Sequence, residues 1–231
     1  MLKLAQVDEE RVGNRLMVWW DGEGAARVLR HDEEAILMER VEGELSLADM
    51  VQDGQDDEGS RILCSVVAVL HGQQARPWPD LRPLESWFRA LEETAPQVGG
   101  VLTTSLETAR HLFREPRDVR PLHGDIHHCN VLHSRKRGWL AIDPKGLIGE
   151  RGFDYANIFC NPDLDVAAAP GRLARQSHIV AEAAGLDRTR LLQWMLAYAG
   201  LSAAWHLEDG EETQVRRTLT VAALAAAELN G

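Results

Sequence analysis

The stretch Pro121–Asp154 reads PLHGDIHHCNVLHSRKRGWLAIDPKGLIGERGFD, and its spacing decides how the chain folds. Within it His123, Asp125 and Asn130 stand as H-x-D-x4-N, and Asp143 follows a basic turn and the apolar run Trp139–Ile142. Asp125 and Asn130 are too far apart to be neighbours on one helical turn. They belong instead to the two ends of a tight loop that drops into a strand at Val131-Leu132. A hairpin over residues 131–142 then returns Asp143 to the side of Asn130. A carboxylate placed like Asp125 orients a hydroxyl and takes its proton. An amide oxygen beside a second carboxylate suits a hard divalent cation.

Outward from this stretch the chain divides in character. On its N-terminal side, Met1–Ala5 alternates as a strand does, and Asp8–Trp20 carries apolar residues at helical spacing before Gly22 and Gly24. Ala26–Leu29 and Ala35–Met38 flank the polar turn His31–Glu34 and predict a hairpin. Leu45–Val51 reads as a short helix, Asp56–Gly59 as a loop, and Ser60–Leu70 as a helix. Leu84–Leu91 and Val101–Phe113 give two further amphipathic helices, separated by Pro96 and Gly99-Gly100. Beyond the central stretch, Ala168–Gly185, Asp187–Leu207 and Glu211–Leu229 are helical patterns broken at Gly185 and Gly210, with Asp187 as an N-cap. Trp194, Tyr198 and Trp205 fall on the apolar face of the second of these and read as core.

The chain is 231 residues long, 45% hydrophobic and 26% charged, which fits one large globular domain or two lobes. Its longest apolar runs, such as Val221–Ala227, fall well short of the roughly 20 residues a spanning helix needs, so no membrane span is expected. The first ten residues lack the apolar core of a signal peptide. Cys64, Cys129 and Cys160 are odd in number and far apart, which argues against a disulfide framework and for a reducing cytoplasm. The net charge of −11 repels nucleic acid and anionic membranes and favours a cationic small-molecule partner.

The central stretch resembles the aminoglycoside phosphotransferase branch of the protein-kinase fold, whose catalytic loop reads H-G-D-x4-N and whose metal aspartate lies in I-D-P. His123–Asn130 and Ile142-Asp143-Pro144 carry that resemblance. The chain is similar in particular to the streptomycin and hydroxyurea kinase group through Trp139–Gly146, Gly149-Glu150, Leu201–Trp205 and Val18–Gly24. The resemblance implies an α+β, bilobal kinase-like fold. Residues 1–40 would form a small, truncated, β-rich nucleotide lobe, and residues 41–231 a mostly helical lobe with the catalytic loop and substrate site. It implies ATP-dependent phosphoryl transfer to a hydroxyl of an aminoglycoside, streptomycin 6-kinase-like, and antibiotic resistance.

By the same resemblance Asp125 is the catalytic aspartate, and Asn130 and Asp143 hold Mg2+. Lys3 meets the α- and β-phosphates of ATP, Glu10 is its helix partner with Glu9 as the competing choice, and the linker Met38–Val41, with Glu39 and Val41, receives adenine through its backbone. Asp154 anchors the catalytic loop. Lys145 and Glu150 read equally as phosphate-positioning groups or as paired surface charges. In this fold a hairpin with a phosphate-covering loop precedes the strand lysine, and only Met1 and Leu2 do so here; an incomplete nucleotide lobe and weak ATP binding are the expectation.

Three other readings stay open at this level. They are a kinase of another small hydroxylated metabolite, a catalytically silent kinase-shaped binding protein, and a metal hydrolase built on His123, Asp125, His127 and His128.

Overall fold

Leu2–Leu4 forms the first strand, β1, and the chain turns at once into helix α1, Asp8–Trp20, in the computed structural model, which describes residues 1–73 and 76–231. Asp8, Glu9 and Glu10 occupy the first turn, where the helix dipole favours negative charge. The Glu10 carboxylate reaches back to accept the Gln6 and Val7 N–H groups at 2.5 and 3.3 Å. Asp21, at φ 53°, closes the helix in the left-handed region. Strands β2 (Val28–His31) and β3 (Ala35–Met38) form the expected hairpin, and β3 also pairs antiparallel with β1, giving the order β1-β3-β2.

Helices then dominate. The short α2 (Leu47–Gln52) is capped by the Ser46 hydroxyl. Helix α3 spans Asp56–His71, so the predicted loop Asp56–Gly59 is in fact its first turn. The acids that read as loop residues sit where the helix dipole stabilises them. Strand β4 (Arg82–Pro83) leads into α4 (Leu84–Trp87) and α5 (Arg89–Val98), so the expected single helix over 84–91 resets at Phe88. Helix α5 runs through Pro96, contrary to the expected break; near a helix end the proline removes only one hydrogen bond. The turn belongs to Gly99 and Gly100, both at positive φ, before α6 (Val101–Arg114).

Strand β5 (Val119–Leu122) enters the His123–Asn130 loop, and β6 (Val131–Ser134) pairs with β7 (Gly138–Ala141) in the predicted hairpin, Val131 opposite Ala141. Strand β8 (Leu147–Glu150) lies between β4 and β5 in a small sheet. The turns α7 (Phe153–Ala156), a 3-10 turn Asn157–Cys160 and α8 (Leu164–Ala167) lead to α9 (Arg172–Ala184). That helix begins later than Ala168, after Pro170 and Gly171. Helix α10 (Arg188–Glu208), with Asp187 capping it, and α11 (Glu212–Asn230) complete the chain.

Helix α10 is apolar on nearly every face, from Leu191 to Ala204, and packs against α5, α6, α7 and α11. A helix apolar all round must be enclosed by others. The N-terminal elements are tied to the rest of the chain at β7 and the loop after it. The segment after α1 bonds to β7, with Ala26 N–H donating to the Ala141 carbonyl at 2.9 Å and Ala141 N–H to the Gly24 carbonyl at 2.9 Å. Helix α1 presses on the loop after β7 so closely that a Cβ on Gly13 would collide with the Pro144 carbonyl. Among the described residues no helix is long and apolar enough to cross a membrane.

Candidate active site

Strand β5, buried at its C-terminal end, delivers His123 into a loop whose geometry rests on one carboxylate. Asp154, fully buried on α7, accepts the His123 and Gly124 N–H groups at 2.9 and 2.7 Å, and His71 Nε2 lies 2.8 Å from its Oδ2. Asp154 is therefore the loop anchor expected from the sequence, and His71, at the end of α3, is a partner the sequence reading missed. His123 uses both ring nitrogens: Nε2 donates to the Ile142 carbonyl at 2.8 Å, and Nδ1 accepts the Asp125 N–H at 3.2 Å. Burial holds its pKa below the ordinary value, against the pull of Asp154 and Asp125, so the ring is the neutral brace this bonding requires. It stacks on Trp20, with centroids 6.0 Å apart.

Asp125 stands half-buried at the centre. Its Oδ1 accepts from Asn157 Nδ2 at 2.9 Å, and Asn130 Nδ2 reaches both its Oδ2, at 3.2 Å, and its backbone carbonyl, at 2.9 Å. Lys145 Nζ sits 3.7 Å from Oδ2 and 3.6 Å from Glu9 Oε1. Asn157 was not foreseen; it lies one helical turn after Asp154, a spacing that puts both on one side of the α7 segment. Lys145 thus belongs to the site rather than to a surface pair.

The hairpin returns Asp143 as predicted, because Ile142 N–H donates to the Asn130 carbonyl at 2.9 Å. Asp143 adopts φ 60°, a strained backbone for a non-glycine residue of the kind that collects at functional sites. Its carboxylate pairs with the Lys3 ammonium. Burial raises its pKa, but Lys3, then Lys145 and His123, outweigh that and leave it below the ordinary carboxylate value. Lys3 therefore meets Asp143 instead of Glu10, whose carboxylate caps α1, while Glu9 faces Lys145.

A cleft of about 600 Å3 opens over Asp125. Glu9, Lys145 and Gly124 line it on one side, Arg82, Trp87 and Arg89 on another, and Tyr198, Trp205 and Glu208 of α10 complete it. Trp87 and Trp205 meet edge to face at 5.8 Å. Trp194 and Tyr198 of the predicted core face are buried in the core, and Trp194 donates Nε1 to Glu150 Oε1 at 2.8 Å. Tyr198 also reaches the cleft from the core, and the half-buried Trp205 is one of its walls. The linker residues Glu39 and Val41 line a second cavity of about 780 Å3 with the β6–β7 turn. There the Glu39 carboxylate accepts the Arg27 N–H at 2.8 Å and the Arg137 guanidinium.

Glu150 is structural. Burial would raise its pKa, yet the Arg190 guanidinium at 2.7 and 2.9 Å, Trp194 and the Arg117 N–H hold it below its ordinary 4.5. A carboxyl depressed on folding lends stability above its unfolded pKa and loses it as pH falls through the folded value. Melting temperatures followed from neutral to acidic pH should therefore fall less steeply in Glu150→Gln than in the parent, although Gln starts from lower stability. An identical slope in the two proteins would remove Glu150 from this role.

Among the described residues no group of three or more His, Cys, Asp or Glu side chains is set to hold a metal, and His128 is buried beside Arg172, away from Asp125. The hydrolase reading therefore lacks its ligand set. Fold and site together define a protein-kinase-like phosphotransferase of small molecules. The description "Aminoglycoside/hydroxyurea antibiotic resistance kinase" matches residues 1–210, and the chain belongs to that family.

The chain is 51% identical over 215 residues to streptomycin 3''-kinase of Klebsiella pneumoniae, covering 91% of this chain and 80% of that one. It is 35% identical over 210 residues to streptomycin 6-kinase of Streptomyces griseus, covering 83% and 65% respectively. Among solved structures, a thermostable mutant of the aminoglycoside phosphotransferase APH(4)-Ia in ternary complex with AMP-PNP and hygromycin B overlays with TM-score 0.70. It shares 14% identity, with 100% of this chain and 87% of that one covered. The choline kinase LicA from Streptococcus pneumoniae overlays at 0.61 with 12% identity, covering 96% and 85%.

Proposed function

We propose that this protein transfers the γ-phosphoryl group of ATP to a hydroxyl of streptomycin in the cytoplasm, and so confers resistance to it. The observation that carries the reading is Asp125: a carboxylate at the floor of an open cleft, oriented by Asn157 and Asn130, with a lysine beside it. The acceptor hydroxyl lies against Asp125, which takes its proton as the oxygen attacks in line, and Lys145 offsets charge gathering between them. Glu9 and Glu208 give the cleft acceptors for the guanidinium groups of the substrate, and Trp87 and Trp205 offer ring faces to them.

Residues 1–40 form the nucleotide side and 41–231 the acceptor side in this reading. Lys3 contacts the α- and β-phosphates, and the backbone of Glu39–Val41 receives adenine. Asn130 and Asp143 fit a magnesium ion. Asp143 already holds a cation in the Lys3 ammonium, and the Asn130 amide nitrogen faces Asp125, which leaves its oxygen for a ligand. When bound, magnesium neutralises phosphate charge as the transfer proceeds.

For regiochemistry, the relative of higher identity is named for the 3'' position and the one of lower identity for position 6. We place transfer at the 3''-hydroxyl, ahead of the 6-hydroxyl expected from the sequence. In Asp143→Ala, AMP-PNP binding measured by calorimetry should lose its dependence on magnesium. Binding that still tightens with magnesium as in the parent would count against the metal assignment.

A further inference from the structure

Lysine is scarce in this chain: of its 25 Lys and Arg residues only Lys3, Lys136 and Lys145 are lysine. Two of the three stand at the site, each beside a different carboxylate. Lys3 pairs with Asp143. Lys145 lines the cleft beside Gly124 and Asp125, with its ammonium 3.7 Å from Asp125 Oδ2 and 3.6 Å from Glu9 Oε1. Both separations are longer than a hydrogen bond. Charge therefore holds the ammonium between two carboxylates, and its donors stay free for a further acceptor.

The backbone that carries Lys145 is fixed from both sides. Its N–H donates to the His123 carbonyl at 2.7 Å, two residues before Asp125. Gly146, at φ 71°, lies so close to Val12 of α1 that an added Cβ would come within 2.7 Å of it. The side chain, 30% exposed, is what remains free to reach into the cleft. An acceptor oxygen bonded to Asp125 lies about 3 Å from the carboxylate, and a phosphorus poised for in-line attack lies about 3–3.5 Å from that oxygen. A cation 3.7 Å from the same carboxylate is within reach of the equatorial oxygens of that phosphorus, where charge gathers during transfer. The side-chain type fits this use. An arginine here would close its planar fork on Asp125 or Glu9 and spend its donors there, whereas a compact ammonium on a flexible stem keeps them for a phosphate.

We propose that Lys145 is a catalytic residue whose ammonium contacts the γ-phosphoryl group itself, dividing the work with Lys3, which serves the α- and β-phosphates. This rests on the phosphotransfer reading above and adds to it the group that Lys145 touches. The test is calorimetric titration with magnesium-ADP and magnesium-AMP-PNP, with no acceptor present. Lys145→Met should weaken AMP-PNP binding about tenfold or more, the loss of one hydrogen bond between charged groups, and leave ADP binding as in the parent. Lys3→Met should weaken both. Parental ADP affinity reports an intact fold in the same experiment, and Lys145→Gln, read in the same way, replaces a methionine variant that fails to fold. Equal loss for the two nucleotides, or unchanged AMP-PNP binding, would overturn the contact and leave the phosphotransfer reading in place. A parent that binds neither nucleotide would overturn that reading and the contact with it.

Discussion

Asp125→Ala is expected to lower phosphoryl transfer by about 10²–10⁴-fold, the usual contribution of a positioned general base, while leaving the melting temperature close to that of the parent. The carboxylate is half-buried and lines the open cleft with Lys145, so water can replace it there, although its partner Asn157 is buried. The split is the informative part. Steady-state kinetics should show kcat falling with little change in the KM for ATP, because in the proposed reaction Asp125 faces the acceptor and not the nucleotide. A variant with parental kcat would remove Asp125 from the chemistry.

Asp154→Ala should behave in the opposite way. It takes the acceptor from the His123 and Gly124 N–H groups and from His71, all buried. An unmet buried donor costs about 1–3 kcal/mol. Asp154→Ala leaves the two backbone N–H groups and His71 unmet, and urea unfolding should show a loss of at least that order. Activity should fall too, since Gly124 immediately precedes Asp125 and the loop loses the group that fixes its backbone. If unfolding free energy is unchanged, the loop is held by something other than Asp154.

The contrast between these variants reflects what a sequence makes visible. The convergence of Asp125, Asn130 and Asp143 was readable because a tight loop and a hairpin of apolar strands are the short route that brings the third to the second. Helix α1 was readable to its ends because acids, apolar phase and closing glycines all agree there. Asp56–Gly59 misled because acidic residues next to glycine serve loops and helix N-termini alike. Pro96 misled because a proline breaks a helix only where the lost hydrogen bond and ring clash matter. Strand β8 has four residues, including Gly149, too few to show a period.

The rest of the site depends on long-range pairing that no local pattern encodes. His71 and Asp154 are 83 residues apart in sequence, and Lys3 and Asp143 are 140 apart. Glu10 shows the limit most clearly: an acid one turn into a helix after a strand lysine is a reasonable ion-pair partner, yet its carboxylate serves the helix N-terminus, and Glu9 faces the cleft instead. Trp205 shares the apolar phase of α10 with the core residues Trp194 and Tyr198, and periodicity alone cannot separate a core face from the wall of a cleft.

The most direct measurement mixes the purified protein with magnesium-ATP and streptomycin, follows ADP release, and locates the phosphate on the product by phosphorus–proton NMR. One phosphoryl group on the streptomycin 3''-hydroxyl for each ADP formed is the expected result. ADP formed without phosphorylated streptomycin, or no product from protein shown to bind both ligands, would contradict it.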